Sequence, residues 1–437
     1  MSDEVLTTPI DPVAAANLAE KGLRFETILS SDAAFEPWFQ AMGRGFHEAA
    51  ADDESLPNRV EGFAHRRISG LWDDSSADAA TPVATASSWI MPLTIPDRRS
   101  IPSWAISTIT VAPTHRRRGI ARNLLEAELR TAVALGVPVA ILTASEATIY
   151  ERYGFAPAAM TADWTIDTRR AKWIGREPDG RVQLIPKEQA RDGGAFDIVQ
   201  RALIQTPGEV GFSGHLWRRL FGLPGFPNIA ALRVARYDDA DGVGQGFAIY
   251  RAESTDHSAT IRLNYLAAAT DDAYAALWRY LFELDLVTEV KAELRSTDEP
   301  FRWQIADARA AHEDHVGDHL WLRILDVKTT LEARHYSAPG TFVFELSDEL
   351  GFADGSWLLS IDDAGAATVR KLDDAEGFAD NHRLQLSVNE LAAAYLGATT
   401  FGTLIRAGRI SEKTPAAAVA ADAAFRSEVT PWLSTWF

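Results

Sequence analysis

Apolar and polar positions alternate along the chain in a way that predicts a mixed α+β protein built in three parts. Leu23–Ile28 reads as a strand, and Asp32 is placed to cap a helix running to about Ala51. Two long strands are expected around 81–96 and 101–113, joined by the turn Pro96-Asp97-Arg98-Arg99-Ser100. A helix from Arg122, a buried strand Val137–Thr143 and a short helix Ala147–Tyr153 follow, the last closed by Gly154 into another strand that finishes near Thr168. From 169 to 325 the pattern partly repeats, with strands at Gly244–Tyr250 and Ala259–Leu266 and a helix beginning near Ala267. Residues 326–437 differ: strands Gly340–Leu346 and Ser356–Ile361 lead into a helix at Ser387–Leu396 and another after Pro415. Residues 1–22, polar and alanine-rich, are expected to form a loosely held, flexible arm ahead of units at 23–168, 169–325 and 326–437.

Composition narrows the function classes. The chain has 437 residues and no cysteine, which excludes disulfides, thiolate metal sites and a cysteine nucleophile. Against 43 Lys plus Arg stand 61 Asp plus Glu, a formal charge of −18 that opposes nucleic acid and anionic membranes and favours cationic ligands. The first residues carry acids where a signal peptide needs bases, and no apolar run reaches membrane-spanning length, so a cytoplasmic location is expected.

The most informative stretch is Arg116-Arg117-Arg118-Gly119-Ile120-Ala121, between a strand ending at Pro113 and the helix that follows. The first turn of a helix offers amides without intrahelical partners at the positive end of its dipole, which suits a pyrophosphate. Gly119 allows close approach of the backbone and Ala121 keeps the next position small. The Arg-x-x-Gly-x-Ala spacing is neither a Walker loop nor a dinucleotide fingerprint. In the second part the corresponding helix start carries Asp271 and Asp272, read as caps that would repel a pyrophosphate, and Gly242-x-Gly244-x-Gly246 reads as a turn entering a strand.

Strand, Arg-x-x-Gly-x-Ala, helix, strand and then Tyr150-x-x-Tyr153-Gly154-Phe155 is the order found in the GNAT superfamily of acyl-coenzyme A transferases, which this region resembles. Val111–Gly119, Ala144-Ser145-Glu146, Ile149–Phe155, Leu320–Val327 and the closing Pro431–Phe437 resemble, more narrowly, the enhanced intracellular survival (Eis) family. The resemblance implies tandem GNAT-like domains, the second without a coenzyme A site, and a sterol-carrier-like C-terminal domain serving mainly as framework. It also implies acetyl-coenzyme A as cosubstrate, no metal, broad amine acceptors such as aminoglycosides, polyamines or lysine side chains, and a homohexamer. On that basis Ile109, Thr110, Val111, Arg116, Arg117, Arg118, Gly119, Ile120, Ala121 and Ser145 would hold the cosubstrate. Tyr150 would be the general acid, and the α-carboxylate of Phe437 the base.

Trp38, Phe46 and Asp52 are candidates for the acceptor cleft, through aromatic stacking and charge, although Trp38 and Phe46 equally suit a core-facing stripe. His312, His315 and His319 have helical metal-pair spacing but sit in an acidic segment expected to be a solvated linker. The alternative reading is a non-catalytic module that binds acyl-coenzyme A or a lipid and scaffolds partners.

Overall fold

The computed structural model describes residues 2–50, 56–222, 231–254, 258–373, 376–378 and 381–437. The first unit runs α1 (Ser2–Thr7), α2 (Pro12–Ala19), β1 (Arg24–Ile28), α3 (Phe35–Gly45), α4 (Leu56–Phe63), β2 (Arg67–Trp72), β3 (Ala84–Ile95), β4 (Arg99–Val111), α5 (Ile120–Ala134), β5 (Val139–Thr143), α6 (Ala147–Tyr150) and β6 (Ala156–Asp167). The second contains β7 (Arg181–Ile185), α7 (Lys187–Asp192), α8 (Ala195–Leu203), α9 (Gly214–Leu220), β8 (Arg233–Asp238), β9 (Gly244–Ser254), β10 (Ala259–Ala268), α10 (Asp271–Phe282), β11 (Val287–Arg295) and β12 (Ala311–Ile324). The third has α11 (Val327–Ala333), β13 (Gly340–Ser347), β14 (Gly355–Ile361), β15 (Ala367–Leu372), β16 (His382–Ser387), α12 (Val388–Tyr395), α13 (Phe401–Arg406), β17 (Ser411–Glu412) and α14 (Ala417–Phe425).

The first two units share one 12-stranded sheet, ordered β1-β2-β3-β4-β5-β12-β6-β11-β10-β9-β8-β7. β12 inserts between β5 and β6, pairing Leu320–Ile324 with Val139–Thr143 on one side and Ala311–Leu322 with β6 on the other. Two similar halves therefore exchange strands, and every interior strand finds both its hydrogen-bonding neighbours. The third unit contains a 5-stranded sheet, β15-β14-β13-β16-β17, whose Phe342 and Phe344 share one core with Leu391 of α12 and with β5 and β12. Arg323, on β12, sits fully buried and forms a forked ion pair with Asp348 of the third unit, both contacts at 2.7 Å. Gly154 accommodates it: its φ is +85°, and a Cβ there would stand 2.6 Å from the guanidinium carbon.

Several expectations change. Residues 12–19 are a helix, not a loose arm: Asp11 caps α2, and Ala14 and Leu18 are buried against Leu124 and Ala127 of α5. Asp32 accepts from the Leu29 amide in a turn, and the helix starts only at Phe35 and ends at Gly45. At α10 the cap is Thr270, whose hydroxyl accepts from Ala273 N at 3.2 Å; Asp271 and Asp272 lie in the first turn. The histidine segment is strand β12, not a linker; His312 and His315 are exposed on it while His319 is buried. Among the elements that went unread in the sequence are strands β2, β7, β8, β11, β15 and β16 and helices α4, α7, α8, α9, α11 and α13.

Candidate active site

The site begins as a defect in pairing. β4 and β5 run parallel and pair only at Ser103–Val139, Trp104–Ala140 and Ala105–Ile141, yet β4 continues to Val111. Beside this point the β3–β4 register shifts between Thr85 and Ser87, and Thr108 takes a left-handed φ of 56°. Side chains hold that bulge: Thr85 Oγ1 donates to the Thr108 carbonyl at 2.8 Å, and Thr108 Oγ1 to Ser87 Oγ at 2.9 Å. A bulge bends and twists its strand, so β4 leaves β5 beyond Ala105. Among the described residues, the β5-facing edge of β4 around Ile109 and Val111 then has no strand partner, and its main-chain groups are open to an extended ligand.

The basic turn lies at the end of that edge. Gly119 is the N-cap of α5 with φ 73°, and no side chain caps the helix. Ile120, Leu124, Leu125 and Leu129 bury one face of this 15-residue helix, so its N-terminus is held firmly beside the gap. Glu128, buried on the same face, accepts from Trp104 Nε1 at 3.1 Å. Arg116, Arg117 and Gly119 are exposed. Arg118 is not free in the same way: its guanidinium donates to the Lys21 carbonyl at 2.9 Å while Lys21 Nζ donates to the Arg118 carbonyl at 2.9 Å. The turn is thus tied to the segment after α2, a tether that the sequence reading missed because the two residues lie 97 positions apart. A coenzyme A pyrophosphate fits this arrangement, since the amides are uncapped and glycine leaves the approach open.

Tyr150 ends α6, in one apolar cluster with Ile106, Leu142, Leu125 and Leu129 of α5 and the partly buried Ile109. Its ring lies against Phe155 and Trp321, with centroids 6.2 Å away in each case. Burial above all, then the charge of Glu146, pushes its phenol above the ordinary value, so it stays protonated through neutral pH. Ser145 is exposed in the connection before α6, and Tyr153 is buried in the same cluster.

The last residues, irregular in backbone, run across the sheet to β4. Ser107 Oγ donates to a main-chain oxygen of Phe437 at 3.0 Å, and the Phe437 ring meets Trp89 of β3 edge-on at 6.0 Å. Phe437 is 9% exposed and Leu433 fully buried. Ser107, one residue before the bulge, carried no sequence signal, because a serine within a strand is ordinary until a partner arrives from 330 residues away.

The acceptor candidates fare differently. Trp38 is 0% exposed and donates to the Ser69 carbonyl at 2.8 Å, so it is a core anchor of α3 and not a lining residue. Thr110 turns its side chain toward β3 and α3, bonding Thr85 and packing on Gly45, which leaves only its main chain for a ligand. Phe46 is 43% exposed at the end of α3, and Asp52 lies outside the described residues. Arg66 and Arg219 stand near one another on this side, with Arg66 3.9 Å from the Trp89 ring. Burial, then the Arg219 charge, brings Arg66 down to about 9. No group of residues suited to a metal ion occurs among the described residues.

Comparison with known proteins agrees with this architecture. Residues 27–158 and 213–324 each match an acetyltransferase (GNAT) domain, and residues 327–434 a sterol carrier protein domain. An uncharacterised N-acetyltransferase of Streptomyces avermitilis is 33% identical over 414 residues, 92% of this chain and 96% of that one. N-acetyltransferase Eis of Mycobacterium tuberculosis is 34% identical over 349 residues, 77% of this chain and 81% of that protein. The crystal structure of Eis1 from Mycobacterium abscessus superposes with a TM-score of 0.80 at 29% identity, covering 94% of this chain and all of that one. The two α/β halves with a parted strand pair are GNAT domains, and the whole defines an N-acetyltransferase that uses an acyl-coenzyme A, not a non-catalytic carrier. The chain belongs to the Eis family. Among the described residues no helix is long and apolar enough to cross a membrane.

Proposed function

We propose that this enzyme transfers an acetyl group from acetyl-coenzyme A to a primary amine by direct attack, with Tyr150 as general acid and the carboxylate of Phe437 as base. The observation that carries the reading is the hydrogen bond from Ser107 to Phe437, which brings the last residue to the strand bulge where β4 leaves β5. Ile109 and Val111 offer main-chain groups to the pantetheine arm, and the amides of residues 117–121 with Arg116 and Arg117 hold the pyrophosphate. The acetyl thioester supplies the electrophilic carbonyl. As the C–N bond forms and the C–S bond breaks, the amine proton passes to the Phe437 carboxylate, directly or through one water. The Tyr150 proton goes to the departing sulfur. A phenol held above its ordinary value keeps that proton until sulfur charge develops. A terminal carboxylate, with a reference pKa of about 3.3–3.7, acts as a base only where burial or a water relay helps it, and the low exposure of Phe437, 9%, supports the reading. The charge of −18 favours cationic acceptors such as polyamines, aminoglycosides or lysine side chains. The family resemblance favours a homohexamer as the working unit, which light scattering would read directly.

The test follows coenzyme A release with a thiol-reactive dye across a panel of such amines. Tyr150→Phe is expected to lower kcat by roughly a hundredfold with coenzyme A affinity unchanged, and extension beyond Phe437 to lower it likewise. Turnover indifferent to both changes would remove these two roles.

A further inference from the structure

The C-terminal segment owes its place to the second domain. Trp432 N donates to the Pro207 carbonyl at 2.9 Å and Trp432 Nε1 to the Leu294 carbonyl at 2.8 Å, with the Arg295 guanidinium 4.6 Å from the indole. Ser434 donates twice to one oxygen of Glu209, from its amide at 3.3 Å and its hydroxyl at 3.0 Å. His319 Nε2 donates to the Thr435 carbonyl at 2.9 Å, and Arg219 to the Trp436 carbonyl at 2.6 Å. Lacking secondary structure, this buried segment has its polar groups satisfied largely by side chains reaching from elsewhere. Glu209 itself is fixed to the first domain: its carbonyl accepts from Thr94 N at 2.8 Å, and its neighbour Val210 bridges Leu93 at the end of β3. Gly208 has φ +96°, and a Cβ there would fall 2.9 Å from the Trp432 carbonyl, so the close passage of the tail requires glycine.

The second domain has the room for this because its own strand gap serves another purpose. β10 and β11 are parallel and pair to Leu263–Ala292 before parting, as β4 and β5 do. Here the gap holds Tyr265, the buried ion pair of Arg295 and Glu299 at 2.8 Å, Tyr274 bonded to Glu299, and the Trp432 ring at its rim, leaving a cavity of about 180 Å³. The helix start beyond it carries Asp271 and Asp272, both against Arg176, in place of a basic turn.

We propose that the second GNAT domain is a clamp for the C-terminal segment, and that Glu209 is a positioning residue which, through Ser434, sets Phe437 against Ser107. This rests on the reading that the Phe437 carboxylate takes part in acetyl transfer. Glu209 touches no reacting atom. It acts by fixing the segment three residues before the base, where a displacement of about 1 Å suffices to cost a large factor in rate.

The experiment has two arms on the full 437-residue protein, comparing wild type with Glu209→Ala, Glu209→Gln and Ser434→Ala. In the first, carboxypeptidase release of Phe437 reports how often the segment leaves its groove. Loss of the Glu209 acceptor is expected to speed release about tenfold, Ser434→Ala less because the amide bond remains, and Glu209→Gln least because its amide oxygen still accepts. In the second arm, kcat for acetyl transfer falls at least about tenfold in Glu209→Ala, the KM for acetyl-coenzyme A stays at the wild-type value, and Glu209→Gln restores kcat. Ser434→Ala removes a contact from the tail side and leaves the Glu209 side chain in place, so it keeps the test alive should Glu209→Ala fold poorly. Release at the wild-type rate in both Glu209→Ala and Ser434→Ala would overturn the clamp; faster release with unchanged kcat would overturn the positioning role. Wild-type protein inactive toward every amine would refute the proposed reaction while the release arm still decided the clamp.

Discussion

Gly119→Ala separates the two jobs that one glycine performs, and Gly136→Ala at the other end of the same helix supplies the control. Both glycines take left-handed backbone, φ +73° and +69°. An L-residue pays about 1–2 kcal/mol in that region, so both variants should lose a similar amount of stability. Sterics add little: a Cβ at 136 meets nothing within 4 Å, and one at 119 meets the flexible Lys21 ammonium at 3.2 Å and, in ordinary contact, the Asn123 amide nitrogen at 3.9 Å. The difference lies in what the new methyl faces. At 119 it enters the space in front of the uncapped amides, and losing one charge-assisted hydrogen bond worth ~1.5–3 kcal/mol weakens coenzyme A binding roughly ten- to hundredfold. Urea unfolding and calorimetric titration with coenzyme A measure both quantities on the same preparations. Gly119→Ala binding as tightly as wild type, or Gly136→Ala losing affinity equally, would refute a backbone pyrophosphate site at this turn.

Four other outcomes are expected. Tyr150, pushed above its ordinary value by burial, should show no alkaline loss of kcat below about pH 10; an alkaline limb near pH 8 that disappears in Tyr150→Phe would show its phenol shifted down and refute the effect of burial. Burial pushes the Glu209 carboxyl up from its ordinary value of 4.5 to about 7. The native state therefore holds a proton that the unfolded chain has released, and stability from this group falls as pH rises from 4.5 to 7. The Tm of Glu209→Gln relative to wild type should accordingly rise between pH 5 and pH 8, and a constant gap would rule this out. Arg323→Ala leaves Asp348 buried without its partner and should cost about 3–5 kcal/mol in denaturant unfolding; a loss below about 1 kcal/mol would show the pair to be hydrated. Trp38→Phe should lose about 1–3 kcal/mol of stability, from packing and the Ser69 hydrogen bond, with no change in the KM of any amine.

What could be read along the chain and what could not divide by range. The turn at Arg116–Ala121 and the helix after it were legible because a glycine among arginines, an apolar stripe and a strand before them are local facts of the sequence. The loss of the same turn in the second domain was legible from Asp271 and Asp272, although the cap proved to be Thr270, one residue earlier. Trp38 was ambiguous, since aromatic spacing along a helix does not say which neighbour the ring meets; Ser69 and Phe63 decide that it is core. His315 and His319 suggested a helical face because spacing of four means little until the element is known. In strand β12 the ladder takes the backbone, and residue 319 turns inward to Thr435 and Trp436.

By itself the sequence determined the class of protein: a mixed α+β chain with a basic, glycine-containing turn at a helix start, a tyrosine after the next strand, and a second partial repeat with acids at the corresponding helix start, each read from local patterns. Only the tertiary structure decided that β12 lies between β5 and β6, that Lys21 secures the turn, and that Glu209, His319 and Arg219 carry the last residues to Ser107. The physical reason is that a buried polar group must find a partner wherever the fold supplies one, and partners brought from a hundred or more positions away leave no periodicity behind in the chain.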